Sequence, residues 1–197
     1  MRRKTFTALL ILALALLTIN AAKKNDEIHR MGIFISNFTE QGMFEIDINS
    51  IGNADLVRFG IAHNVINNPK STVRKCALPD CEYGPSLMSG SSVAQSVRKY
   101  FDLDVSNRTV TGQPEAIYDG DNYHFDARQW KDDTVYYAEV QDVRREKGLV
   151  HMEGELYNVN KKSDRPAYFT AIARPYKWQG KNTWSILRLS VEWKEGE

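Results

Sequence analysis

Gly60, His63, Asn64 and Asn67 fall within "RFGIAHNVINN", Arg58 to Asn68. At 100° per residue they share one stripe of about 100° of arc, while apolar residues wrap most of the remaining surface and Arg58 projects alone among them. Asparagine and glycine are poor helix formers, so local stability does not explain their presence. Amide side chains donate and accept at once, which suits a stripe that hydrogen-bonds one specific thing, either a ligand or another part of the chain. The expected partner is "FISNFTE", with Ser36, Asn37, Thr39 and Glu40 as the clamped segment and Gly60 allowing a close approach of its backbone.

Other residues that could do chemistry are less specific. His151, Glu153 and Glu155 alternate along one strand face, but opposite the apolar face, where charged residues belong by default. His124 stands between Tyr123 and Phe125 with no partner visible in the sequence. Cys76 and Cys81 close the short loop "CALPDC". In an oxidising compartment so close a pair is expected to form a disulfide. A zinc site needs about four ligands, and no histidine lies within ten residues of either cysteine. Trp130, Trp178 and Trp184 are expected at strand ends or on the less apolar face, either as an aromatic contact surface or as caps on the sheet. No "GxSxG", "HExxH", phosphate-binding glycine loop or "SxxK" occurs. No catalytic residue, metal or cofactor is assigned on these grounds.

The elements that position these residues follow from periodicity. A helix is expected from about Ala54 to Asn67, stopped by Asn68-Pro69. A second begins in "SGSSVAQSVRKYF", where Ser92 and Gln95 form a capping-box pattern. The period then changes to two: "AIYDGDNYHFDA" reads as a hairpin, and "TVYYAEVQDV", "LVHMEGELYNV", "AYFTAIARPY" and "WSILRLSVEW" read as strands. The last places Leu187, Leu189, Val191 and Trp193 on one face. "MGIFISNFTEQGMFEI" reads as an extended, edge-strand segment. The expected fold is α+β, with N-terminal helices packed on one face of a coiled antiparallel sheet of about five or six strands.

The start of the chain reads as a leader. Arg2, Arg3 and Lys4 precede the apolar run "ALLILALALLTI", and Asn20-Ala21-Ala22 supplies a cleavage site. Residues 1–22 are therefore expected to be a signal peptide, 23–30, which include His29, a flexible stretch, and 31–197 a single domain with no transmembrane span. Removing three of 26 basic residues leaves 23 against 25 acidic ones, a net charge near −2 with the signs well mixed. That balance argues against a nucleic-acid partner. The expected location is the periplasm or the cell surface.

"FISNFTE" with "RFGIAHNVINN" resembles a family of uncharacterised exported bacterial proteins, often lipoproteins, that carry S-N-F-[ST]-E and F-G-x-x-H-N-x-I-N-N elements. The second half is similar to IseA-type inhibitors of cell-wall DL-endopeptidases, through Tyr100-Phe101, "YDGDNYHF", Ala138 to Val140, Gly154 to Tyr157 and Ala171-Ile172. Asp102 stands where that family has glycine. The resemblance implies one helical-plus-sheet domain that binds at the cell wall. The function expected is that of a non-catalytic exported envelope protein binding another macromolecule, such as a cell-wall hydrolase that it inhibits or modulates. The alternative is a peptidoglycan- or glycan-binding module that uses its tryptophans, and an enzyme comes third.

Overall fold

The computed structural model describes residues 25–77, 81, 83–131 and 134–195. The expected signal peptide, 1–22, lies outside the described residues. Among the described residues no helix is long and apolar enough to cross a membrane. The fold is α+β, but with two antiparallel sheets where one was expected.

The chain enters through helix α1, residues 25–39, so 25–30 are not a flexible stretch and "FISNFTE" is not extended. Ile28, Met31, Ile35 and Phe38 recur at spacings of three and four, and all four pack into the main core. The alternation around Ile33 to Phe38 is what remains of that stripe when its first two turns are omitted. Gly42, at φ 74°, ends the helix. Its amide bonds Thr39 O and that of Met43 bonds Phe38 O, the Schellman pattern.

The larger sheet runs β1-β9-β8-β7-β6, from β1 (Glu45–Asp47), β6 (Tyr136–Glu146), β7 (Leu149–Asn158), β8 (Ala167–Trp178) and β9 (Lys181–Trp193). Two-residue turns at Lys147-Gly148 and Gln179-Gly180, positive in φ at both residues, join β6 to β7 and β8 to β9. One face of this sheet buries Val140, Met152, Leu156, Phe169, Ala171 and Leu189 against α1, α2 (Asn53–Asn67) and α4 (Gly90–Phe101). Its other face carries ion pairs, in which Glu153 meets Arg144 and Glu155 meets Arg165 and Lys194. The smaller sheet, β2-β3-β5-β4, joins β2 (Arg74–Lys75), β3 (Ser86–Ser89), β4 (Ile117–Tyr118) and β5 (Asn122–Phe125). It covers a second core around Met88, Val93, Tyr123 and Phe125. A short helix, α3 (Pro69–Thr72), links α2 to β2.

Helix α2 is the wall between the two cores, which is why apolar residues wrap around it. Leu56 and Phe59 face the first core, Val57, Ile61 and Val65 the second. Helix α4 starts at Gly90 and is capped by the Ser89 hydroxyl, which accepts from the Ser92 amide at 3.2 Å. Its start is thus earlier than the Ser92-Gln95 pattern indicated. A Cβ on Gly60 would lie 2.6 Å from Val93 Cγ1 and 2.9 Å from Val93 O, so this glycine lets α4, not the 36–40 segment, press against α2.

Candidate functional site

Helix α1 lies along the open edge of β6 and seals part of it with side chains. Thr39 Oγ1 donates to Tyr136 O at 2.7 Å, and Ser36 Oγ accepts from the Ala138 amide at 2.9 Å. A Cβ on Gly32 would stand 2.8 Å from Ala138 O, so a glycine is required where the helix comes closest. Residues 32, 36 and 39 share one helical face, and their small or hydroxylated side chains fit an exposed strand edge.

The helical stripe meets α1 at one point. The Asn67 amide donates to Glu40 Oε1 and lies 3.3 Å from His63 Nδ1, so its two protons serve an acid on one side and an imidazole on the other. Asn64 does not reach the 36–40 segment. It donates to Gly60 O at 2.8 Å, Ser92 O at 3.2 Å and Ser96 Oγ at 2.8 Å, and so ties α2 to α4. Asn37 reaches α4 from the other side, accepting from the Tyr100 hydroxyl at 3.0 Å. The hydrogen-bonded clamp between the two motifs therefore runs through Asn67 and Glu40, beside the stacked rings of Phe38 and Phe59 at 5.2 Å.

Glu40 is 4 % exposed. Burial pushes its carboxyl above the ordinary range, and the Asn67 hydrogen bond offsets part of that rise. His63 is stacked on Phe59 at 5.6 Å and edge-on to Tyr100 at 4.7 Å. Burial, aided by the Lys99 ammonium, lowers its pKa to about 4, so at neutral pH it is uncharged. Burial and the nearby Glu40 carboxylate raise both Tyr100 and Tyr137.

Beside this cluster a cleft of about 650 Å³ opens between α1 and the β6–β7 edge. Glu40, Asn37 and Asn67 line it, together with Tyr137, Tyr157 and Arg165, while His63 does not. The two tyrosine rings meet edge-on at 6.2 Å, and the Arg165 guanidinium lies 5.9 Å from the Tyr157 ring centre. Ile33, 53 % exposed, adds an apolar patch to the same wall. An enclosed acid, amides, two aromatic rings and a cation at one opening can hold a ligand that is part apolar and part polar. Tyr137 and Arg165 were not distinguishable in the sequence from other strand and turn residues, and Tyr157 stood out only as the end of the Gly154 to Tyr157 element.

The tryptophans do not form an aromatic surface. Trp130 and Trp184 are buried, Trp184 packing on Phe34 at 5.8 Å, and Trp178 is half-buried at the end of β8. A bulge explains the inward turn of Trp184. Ile172 pairs with Arg188 but Ala173 with Ile186, so Leu187 is an extra residue and the alternation changes phase there. Among the described residues the exposed aromatics are Tyr83, Tyr168 and Trp193.

The expected disulfide is not formed either. Cys76 and Cys81 are free thiols. The short loop brings the sulfurs together, and strand β5 adds a histidine that lies far away in sequence: the sulfurs and a ring nitrogen of His124 all lie within 4.8 Å of one another.

No family model, curated protein or solved structure matches this chain.

Proposed function

We propose that the protein is an exported, non-catalytic binding protein of the cell envelope, and that it holds another macromolecule at the cleft between α1 and β6. The observation that carries this reading is the composition of the cleft. Glu40, an acid enclosed by the fold, lines the same opening as exposed Ile33, paired Tyr137 and Tyr157, and Arg165. A polypeptide segment of an envelope protein supplies what that opening can take: an apolar side chain against Ile33 and the tyrosines, and a donor for Glu40. Of the imidazoles nearby, His63 is enclosed by Phe59 and Tyr100 and bonded to Asn67, away from the cleft, while exposed His29 lines the cleft and adds a polar contact for a bound segment. A cell-wall hydrolase is one such partner.

The test is site-specific crosslinking in the intact envelope. A photoreactive residue at Tyr157, on the cleft, should give a single defined adduct, and one at Ile172, on the β8 strand away from the cleft, should give none. Ile33→Asp, at an exposed position on the cleft, should abolish the Tyr157 adduct while the thermal melt stays within a degree or two. Equal labelling from both positions defeats the assignment.

A second reading, glycan binding, has one specific observation in its favour. Trp193 is 44 % exposed and stands edge-on to Phe44 at 5.0 Å and to Tyr136 at 5.2 Å. Retention on purified cell wall that is lost in Trp193→Ala would move the binding surface there.

A further inference from the structure

The smaller sheet gathers a set of donors that the cleft does not use. We propose that Cys76, Cys81 and His124 are three protein ligands of a zinc ion, with water in the fourth position. None of the three lines the α1–β6 cleft, so this site stands apart from the binding surface described above.

The first support is distance. The two sulfurs and a ring nitrogen of His124 lie within 4.8 Å of one another, and Cys81 Sγ is 3.3 Å from His124 Nδ1. Tetrahedral bonds of about 2.3 Å to sulfur and about 2.0 to 2.1 Å to nitrogen place such donors about 3.6 to 3.8 Å apart. Side-chain adjustments of about 1 Å therefore close the site, with no rearrangement of the backbone.

The second support is the orientation of the imidazole. His124 Nε2 is 2.8 Å from Asp119 Oδ2. The other carboxylate oxygen, Oδ1, accepts from the amides of Asp121 at 2.9 Å and Asn122 at 2.7 Å, so the turn of the β4–β5 hairpin fixes the acid. A carboxylate that takes the Nε2 proton leaves the Nδ1 lone pair directed at the cysteines. This is how metal-bound histidines are held, with the acid fixing both tautomer and ring angle. A disulfide has no use for either the histidine or the aspartate.

The third support is that backbone hydrogen bonds fix the chain at each of the two cysteines. The Cys76 amide donates to Pro85 O at 2.8 Å, and the Gly84 amide to Cys81 O at 3.0 Å. Gly84 has φ 119°, and a Cβ there would lie 2.6 Å from Phe125 O, so the chain just after Cys81 presses on the strand that carries His124. Two thiolates and one imidazole are soft to borderline donors, which select zinc over magnesium or calcium. The sequence spacing C-x4-C lies within the range of zinc-binding pairs.

The test uses the full folded chain after reduction, with Co²⁺ as the spectroscopic probe and Zn²⁺ as the competitor. One equivalent of Co²⁺ should produce thiolate charge-transfer bands and intense tetrahedral d–d bands, and one equivalent of Zn²⁺ should bleach them. Zn²⁺ should also raise the melting temperature. Cys81→Ser and His124→Gln should each remove the tetrahedral spectrum. Asp119→Asn, which keeps every ligand, should weaken Zn²⁺ affinity about 10- to 100-fold. That conservative variant keeps the proposal testable if a cysteine variant does not fold. Co²⁺ bands that persist in His124→Gln, or Zn²⁺ affinity equal in Asp119→Asn and the parent, overturn the proposal. So does protein from its native envelope that carries a Cys76–Cys81 disulfide and no zinc.

Discussion

Enclosing His63 makes stability fall as the medium turns acid. The imidazole titrates ordinarily near 6.5 and in the fold near 4. At about 1.4 kcal/mol for each tenfold difference in proton affinity, the gap amounts to about 3 kcal/mol. The folded value lies below the unfolded one, so the unfolded chain takes up the proton first. Stability is therefore full above pH 6.5 and lost as pH falls toward 4. About 2 to 3 kcal/mol should be gone by about pH 4.5. Glu40 acts in the opposite sense. Its raised pKa gives stability that is full below the ordinary 4.5 and declines as pH rises through its folded value. His63→Phe isolates the imidazole. A phenyl ring keeps the stack on Phe59 and the edge contact with Tyr100, and loses only the Asn67 hydrogen bond and the titration. Urea unfolding of both proteins from about pH 7.5 to about pH 4.5 should show the parent losing about 2 to 3 kcal/mol relative to the variant. Asp47, Asp126 and Glu155, held below the ordinary carboxylate range by their hydrogen bonds, act alike in both chains and cancel in the difference. Parallel stability curves, or an NMR titration of His63 centred near 6.5, refute the enclosure.

Ser36→Ala leaves the buried Ala138 amide without its acceptor and should cost about 1 to 3 kcal/mol. Hydrogen exchange at that one amide should accelerate more than at its neighbours along β6. Asn67→Ala removes the partner of Glu40 and raises its carboxyl further, so the loss of stability should be largest at neutral pH and shrink toward pH 4, read by urea unfolding at both pH values. Gly60→Val places a side chain where Val93 Cγ1 and Val93 O already stand. It should lower the melting temperature through about 1 to 3 kcal/mol of overpacking. The double variant with Val93→Ala should recover only part of that, because the obstructing carbonyl remains.

The long strands were legible because each keeps a period of two over most of its length, broken only by bulges in β6 and β9, beside a turn whose chemistry is local. Lys147-Gly148 and Gln179-Gly180 both occupy positive φ, and both close hairpins in the larger sheet. The second sheet was not legible. Its hairpin from Ile117 to Phe125 pairs with Ser86–Ser89, four residues that show no period and lie beyond a helix. Helix α1 was missed because its stripe begins at Ile28, inside a stretch read as a lead-in. At the candidate site, the sequence pointed to both polar motifs and to their meeting, but not to which residues meet. Side chains on one helical stripe can face different neighbours, and Asn64 faces α4 while Asn67, less than one turn on, faces Glu40. The approach of His124 to the cysteines depends on β3 pairing with β5, a contact between distant segments that spacing alone does not encode.

Helix α2 shares its side chains between both cores, and this bears on how the chain folds. Leu56 and Phe59 belong to one hydrophobic cluster and Val57, Ile61 and Val65 to the other. Neither sheet can therefore keep its partner layer while the other comes apart, because stripping either face from α2 exposes apolar surface and frees the helix that both depend on. The unit of folding is then the whole described chain rather than either sheet, and native-state hydrogen exchange should find the slowest amides of α2 opening at the same free energy as those of β7, β8 and β5. A partner or metal that steadies the smaller sheet would, by the same coupling, slow the opening of the larger one.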